Sequence, residues 1–174
     1  MCTVITHPAV PLALSAFLPA EIATAPLIFT GALCSIVPDL DVITFDFGIE
    51  YGSMFGHRGF THSIPFAILW AAIVSIVFFR RSEASILVVF LFLLISTLSH
   101  PFLDALTNGG LGVAIFSPFS NHRYFSPWRP IAVSPIGFGF LSSRGTAVLW
   151  SEIKWVWVPS SVVFFLGLAL RRFR

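Results

Sequence analysis

Five runs without a charged or histidine side chain stand out: residues 8–20, 22–38, 63–79, 84–99 and 155–170. Each is somewhat shorter than the roughly 20 residues that cross a ~30 Å hydrocarbon core. At about 1.5 Å rise per residue, a run of about sixteen covers only ~24 Å. The last four runs span a bilayer if the helix ends, with their ionisable residues, lie at interfacial depth. The first is shorter still and reads as re-entrant or interfacial. The pattern predicts an all-α integral membrane bundle of four spanning helices plus a shorter N-terminal helix, with 1–174 as a single domain.

Proline and serine mark the ends of these runs. Pro8 follows His7 at a first helical position, where a missing N–H is tolerated. Pro38 closes the second run. Ser63 is a natural N-cap, with Pro65 in the first turn. Pro101 follows His100, which predicts a kink or break at that histidine. Broken helices at membrane depth line a site or cavity. The stretch 107–146 carries Gly109, Gly110, Gly112, Pro118, Pro127, Pro130 and Pro135. Its aromatics are Phe116, Phe119, Tyr124, Phe125, Trp128, Phe138 and Phe140. It reads as an interfacial loop region, either a cover over a site or an anchor.

Composition fixes the class. Only 10% of the residues are charged and 56% are hydrophobic, with a mean hydropathy of +0.90. An ordinary soluble domain carries about 25% charged residues, so this is an integral membrane protein. The net charge of +2 is small and the basic residues are scattered singly or in pairs, which excludes a nucleic-acid footprint. Cys2 and Cys34 are too few for a disulfide framework, and Cys34 reads as a small core residue. No Lys or Arg precedes the first run, so it reads as a retained helix rather than a secretory signal.

Orientation follows from Lys and Arg placement. Arg80 and Arg81 form the turn between the third and fourth runs, and Arg171, Arg172 and Arg174 follow the last. Both ends are expected to be cytoplasmic. Arg58, Arg123, Arg129, Arg144 and Lys154 are spread over the longer loops opposite. Traced from that turn, His7, Asp39/Asp41, His57–His62 and His100/Asp104 all fall on the non-cytoplasmic face.

Those clusters carry the candidate chemistry. His100 and Asp104 are four residues apart and share a helix face. They offer one ion an imidazole and a carboxylate, or form a structural His–Asp pair. Asp39 and Asp41 repel unless a cation or proton lies between them; otherwise they form a solvated turn. His57-Arg58-Gly59-Phe60-Thr61-His62-Ser63 is the most specific element. Its histidines sit at a helix N-terminus, where extra cations are disfavoured, so neutral, metal-bound imidazoles suit the position. His7 alone says little, and gains value from ending a helix on the same face. Asp46 reads as turn chemistry.

The heptapeptide resembles the YdjM family of inner-membrane metal-dependent hydrolases. The resemblance extends through the upstream Pro38-Asp39-x-Asp41, the downstream His100-x-x-x-Asp104 and the N-terminal Thr6-His7. The order of His and Asp is similar to the zinc-dependent phospholipase C and P1-nuclease group, whose helical folds bind clustered zinc ions to cleave phosphate esters. The resemblance implies a cell inner membrane location and the metal ligands His7, Asp39, Asp41, His57, His62, His100 and Asp104. After Asp104 the chain departs from the soluble group, with His122 its only further histidine.

A mixed imidazole–carboxylate set suits zinc among divalent metals, and seven candidates favour two ions. The expected activity is hydrolysis of a phosphate ester, such as a phospholipid drawn from the surrounding membrane lipids, by metal-activated water. Asp39 or Asp41 is the expected base and Arg58 the expected stabiliser of developing charge. The competing reading is a non-enzymatic membrane protein, either an ion or proton pathway or a regulatory partner-binding protein.

Overall fold

The computed structural model of the chain describes residues 1–135 and 143–173. All regular elements among them are helical: α1 (Ala9–Ser15), α2 (Ala25–Cys34), α3 (Ile64–Phe79), α4 (Ile86–Ala105), α5 (Ser143–Glu152) and α6 (Val158–Arg171). A 3-10 helix, Val37–Phe47, continues α2, and a short 3-10 turn, Phe60–His62, leads into α3. A π-helical stretch, Ile153–Trp157, joins α5 to α6 without interruption. No strand forms among the described residues, which hold only isolated bridges pairing Thr107 with Ile131 and Val113 with Tyr124.

Three helical runs are long and apolar enough to cross a membrane: Ala25–Phe47, Ile86–Ala105 and Ser143–Arg171. The third expected span, α3, has 16 residues. Ser63 caps it by accepting from the Phe66 N–H at 3.2 Å, with proline in the first turn as expected. α1 is shorter than the expected run, at 7 residues.

Three expectations are corrected. Pro38 does not end the second helix; it occupies the first turn of the 3-10 helix, where no intrahelical N–H is needed. Asp39 and Asp41 therefore ride a helix, and both are buried rather than in a solvated turn. α4 runs unbroken through His100 and Pro101 to Ala105, so the expected break there is absent. The last helical run begins at Ser143, inside the stretch expected to be loop. Of the loop aromatics, Phe138 and Phe140 lie outside the described residues.

α4 is the central helix. It packs along α3, against α2 and α1, and its Val89, Phe92 and Leu93 form the main core with Leu27, Cys34, Ala71 and Val74. Small residues permit the approach, as is usual between helices in a membrane. A Cβ on Gly31 of α2 would lie 2.5 Å from the Phe92 ring. α1 packs on α6, whose Val158, Val162, Phe165, Leu166 and Leu170 are exposed, as suits a lipid-facing helix. The polar residues collect at the end of α4 away from Arg80 and Arg81, bounded by α1, the 3-10 helix and the 57–62 turn.

Candidate metal centre

Five buried side chains meet at that end. His7 enters from the residue before α1's N-cap, Asp39 from the 3-10 helix and His62 from the turn before α3. His100 and Asp104 stand one turn apart on α4. The His62 and His100 Nε2 atoms lie 3.0 Å apart. Asp39 Oδ1 is 3.3 Å from His100 Nε2 and 3.7 Å from His62 Nε2. Asp104 Oδ2 is 3.7 Å from His62 Nε2. Single donor atoms of Asp39, His62, His100 and Asp104 all fall within 4.8 Å of one another. His7 stacks on His100 with ring centroids 3.7 Å apart. Its Nε2 reaches to 3.8 Å from Asp104 Oδ1 and 3.9 Å from Asp39 Oδ2.

The outer hydrogen bonds fix which nitrogens carry protons. His100 Nδ1 lies 2.7 Å from the Ser35 carbonyl oxygen; a carbonyl only accepts, so Nδ1 is the N–H and Nε2 the lone pair. His62 Nδ1 lies 3.1 Å from both Asp41 Oδ2 and the Thr61 hydroxyl; that hydroxyl donates to Asp41 and so accepts here, which makes Nδ1 the N–H again. Two lone pairs would then oppose each other at 3.0 Å, an arrangement stable only with a proton or a cation between them. Both ring nitrogens of His7 and both oxygens of Asp39 are buried without a hydrogen bond. Buried polar atoms are normally satisfied, and such clusters of exceptions need an explanation. A cation supplies one, and the donor set fits it.

No solved structure matches the chain. It is 41% identical over 164 residues to Inner membrane protein YbcI of Escherichia coli (strain K12), an alignment covering 94% of this chain and 95% of that protein. The model of the family described as YdjM inner membrane protein matches residues 1–173. The chain belongs to the YdjM family.

Within this YdjM-family chain, Asp41 and His57 stand behind the centre. Asp41 accepts from the Thr61 hydroxyl at 2.6 Å and the Arg58 backbone N–H at 3.1 Å, and His57 Nδ1 meets its Oδ1 at 2.7 Å. With His62 added, Asp41 is saturated and orients the His62 imidazole. Arg58 is fully buried. Its Nε is 2.8 Å from Asp104 Oδ2, and its terminal nitrogens donate to the Gly109 carbonyl and the Thr107 hydroxyl, each at 3.0 Å. Arg58 was expected to stabilise charge on a substrate's oxygens; in the structure its guanidinium is engaged by Asp104, Gly109 and Thr107. Arg58 positions Asp104. Arg123 donates to the carbonyls of His57 and Tyr51 and thereby clamps the loop onto the heptapeptide. His122 and Asp46 are exposed.

Protonation differs sharply between the two histidines that precede helices. Burial, with His100 alongside, lowers the His7 imidazole to about 3, so it is neutral. Burial also opposes charge on His62, but the Asp39 and Asp41 carboxylates more than offset it and raise that imidazole to about 9. Held charged by these two carboxylates, His62 carries a proton that an incoming cation would have to displace.

Asp39 is also among the residues lining a cavity of about 490 Å³, with Val4, Ile5, Ile36 and Leu40. Sequence reasoning missed Glu152. It is fully buried in the last helical run and bound to Thr3 and Thr6. An acidic residue one turn before an apolar run was the available signal.

Proposed function

We propose that the chain is a membrane-bound metal-dependent hydrolase of phosphate esters, and that a phospholipid is its class of substrate. The observation that carries the reading is the pair of imidazole Nε2 atoms facing each other at 3.0 Å among two carboxylates. One divalent ion, zinc by donor type, would be held by Asp39, His62, His100 and Asp104, with His7 as a fifth donor. Two ions were expected; we propose this one first, because the second group of possible ligands, Asp41, His57 and His62, shares His62 with it. Asp41 and His57 are hydrogen-bonded to each other, and His62 cannot offer both ring nitrogens to ions without losing both ring protons.

When bound, the ion would lower the pKa of a coordinated water toward neutrality and so supply a hydroxide for attack on phosphorus. The protein's own residues do the rest. Arg58 and the Cys2 backbone N–H, which donates to Asp104 Oδ1 at 2.8 Å, hold the Asp104 carboxylate in place. Asp41 and the Ser35 carbonyl fix the two imidazoles. Asp39 Oδ2, with no hydrogen bond of its own, is the atom able to take a proton from attacking water. Asp39 therefore takes the role of base from Asp41, which is saturated. The apolar cavity that Asp39 lines supports a substrate with a hydrocarbon chain.

The same reading places four spans across the cell inner membrane, α3 included. Its 16 residues cover ~24 Å and suffice where the polar end sits at interfacial depth. The C-terminus is cytoplasmic and the centre lies on the non-cytoplasmic side.

Metal analysis of the detergent-purified protein tests the reading. About one zinc per chain is expected in the wild type, with loss in His62→Ala and Asp104→Ala. Phospholipid hydrolysis should depend on that metal. Equal, substoichiometric metal in all three proteins would remove the reading, and cleavage of soluble phosphodiesters but not of lipids would reassign the substrate.

A further inference from the structure

Glu152 is 0% exposed, sits in a membrane-length helical run, and has no Lys, Arg or His within ion-pair distance among the described residues. A buried carboxylate without a cation is costly to keep unless its hydrogen bonds are made for it. Its partners all come from the N-terminal segment. Oε1 accepts the Thr3 backbone N–H at 2.5 Å. Oε2 accepts the Thr3 hydroxyl at 2.5 Å and the Thr6 hydroxyl at 2.8 Å. Trp157 Nε1, one π-helical stretch further on, donates to the same Thr6 hydroxyl at 3.0 Å. A turn closed by the Thr6 N–H on the Thr3 carbonyl, at 2.9 Å, ties these residues together. His7 follows immediately.

We infer that Glu152 is a positioning residue that pins residues 2–6 as a strap across the bundle, and that this strap delivers His7 to the centre. Nothing on α1 itself does so: α1 begins after His7 and has only 7 residues. The strap's other attachments near the site are the Cys2 N–H on Asp104 and the Ser134 N–H on the Met1 carbonyl. Among the described residues, Glu152 is the side chain that gathers three bonds from the strap. The π-helical stretch beginning directly after it is a geometry that recurs at functional sites. Glu152 touches none of the five donors, and acts through Thr3 and Thr6.

The pinning stands on its own geometry. The consequence for the ion rests on the metal-binding reading above, so the test reads them separately. In a Cys34→Ala background, Cys2, which is fully buried, reports on the strap by its labelling rate with a polar maleimide in the intact, detergent-solubilised chain. Glu152→Ala and the double variant Thr3→Ala/Thr6→Ala should each label Cys2 roughly tenfold faster or more, and Glu152→Gln should fall between, retaining one acceptor oxygen. The threonine variants keep the test valid if Glu152→Ala does not fold. Cobalt(II) added alone supplies the second readout, through its visible absorption. Glu152→Ala should change that spectrum as His7→Ala does, and add nothing in a His7→Ala background. Unchanged Cys2 labelling in the Glu152 and threonine variants overturns the strap. Faster labelling with an unaltered cobalt spectrum overturns the delivery of His7. A wild type that binds no cobalt overturns the metal reading, while the labelling still decides the pinning.

Discussion

Arg58 adopts a left-handed backbone, with φ +62°, which costs a non-glycine residue about 1–2 kcal/mol. That conformation turns its N–H onto Asp41 while its side chain reaches Asp104, so one residue braces both the outer and the inner carboxylate. Removing the side chain leaves Asp104 buried without its cation. Arg58→Ala should therefore lower stability by about 3–5 kcal/mol, read as a lowered thermal midpoint in detergent. Asp41→Asn should keep the fold and weaken zinc by about 10–100-fold, as loss of an orienting carboxylate does elsewhere. Asp39→Asn removes a donor and should lose the ion; equal affinities in the two variants would contradict the assignment of inner and outer roles. The pH dependence has a defined sign. His62, raised from 6.5 to about 9, stabilises the ion-free fold through its protonated form. That contribution is full below its ordinary value and is lost as pH rises through about 9. An ion must displace the proton, so zinc affinity should rise about tenfold per pH unit up to about pH 9 and then level. Calorimetry in buffers of different ionisation enthalpy measures the released proton, and a buffer-independent heat would refute it.

At the scale of elements, α2 and α4 set the position of His100. α2 ends at Cys34, and the next residue, Ser35, supplies the carbonyl that orients the imidazole. Gly31→Val would place a Cβ 2.5 Å from the Phe92 ring and 3.2 Å from Ser96 Oγ. The displacement should cost about 1–3 kcal/mol and weaken zinc as well, because the Ser35 carbonyl moves with the helix. A destabilised protein with wild-type zinc affinity would show that α2 does not position His100. Much of this layer was legible in the sequence. Charge-free runs marked the apolar segments, and Ser63 with Pro65 marked the start of α3. Pro38 and Pro101 misled because proline tolerates the first turn of a helix and, at Pro101, α4 continues through it. The start of α5 was hidden because Arg144, Glu152 and Lys154 interrupt the run that hydropathy detects, and the environment of Glu152 is made by residues 146 or more positions away.

For the whole molecule, the seven candidate ligands were legible as residues but their division was not. Motif spacing cannot tell an inner donor from the carboxylate behind it. Asp41 and Asp39 are two positions apart, and only the fold turns one toward His57 and the other toward His100. The molecule places five buried donors at one end of its bundle and Arg80/Arg81 at the other. A reporter fused after the last residue should be active only in the cytoplasm, and extracytoplasmic activity would invert the assigned orientation. The central claim, one divalent ion among two imidazoles and two carboxylates, is tested most directly by zinc-edge X-ray absorption of the zinc-loaded protein. The account predicts a first shell of nitrogen and oxygen at about 2.0–2.2 Å with an imidazole signature from two or three histidines. A sulfur scatterer at about 2.3 Å, which would bring in Cys2, or a shell of oxygen alone would contradict it.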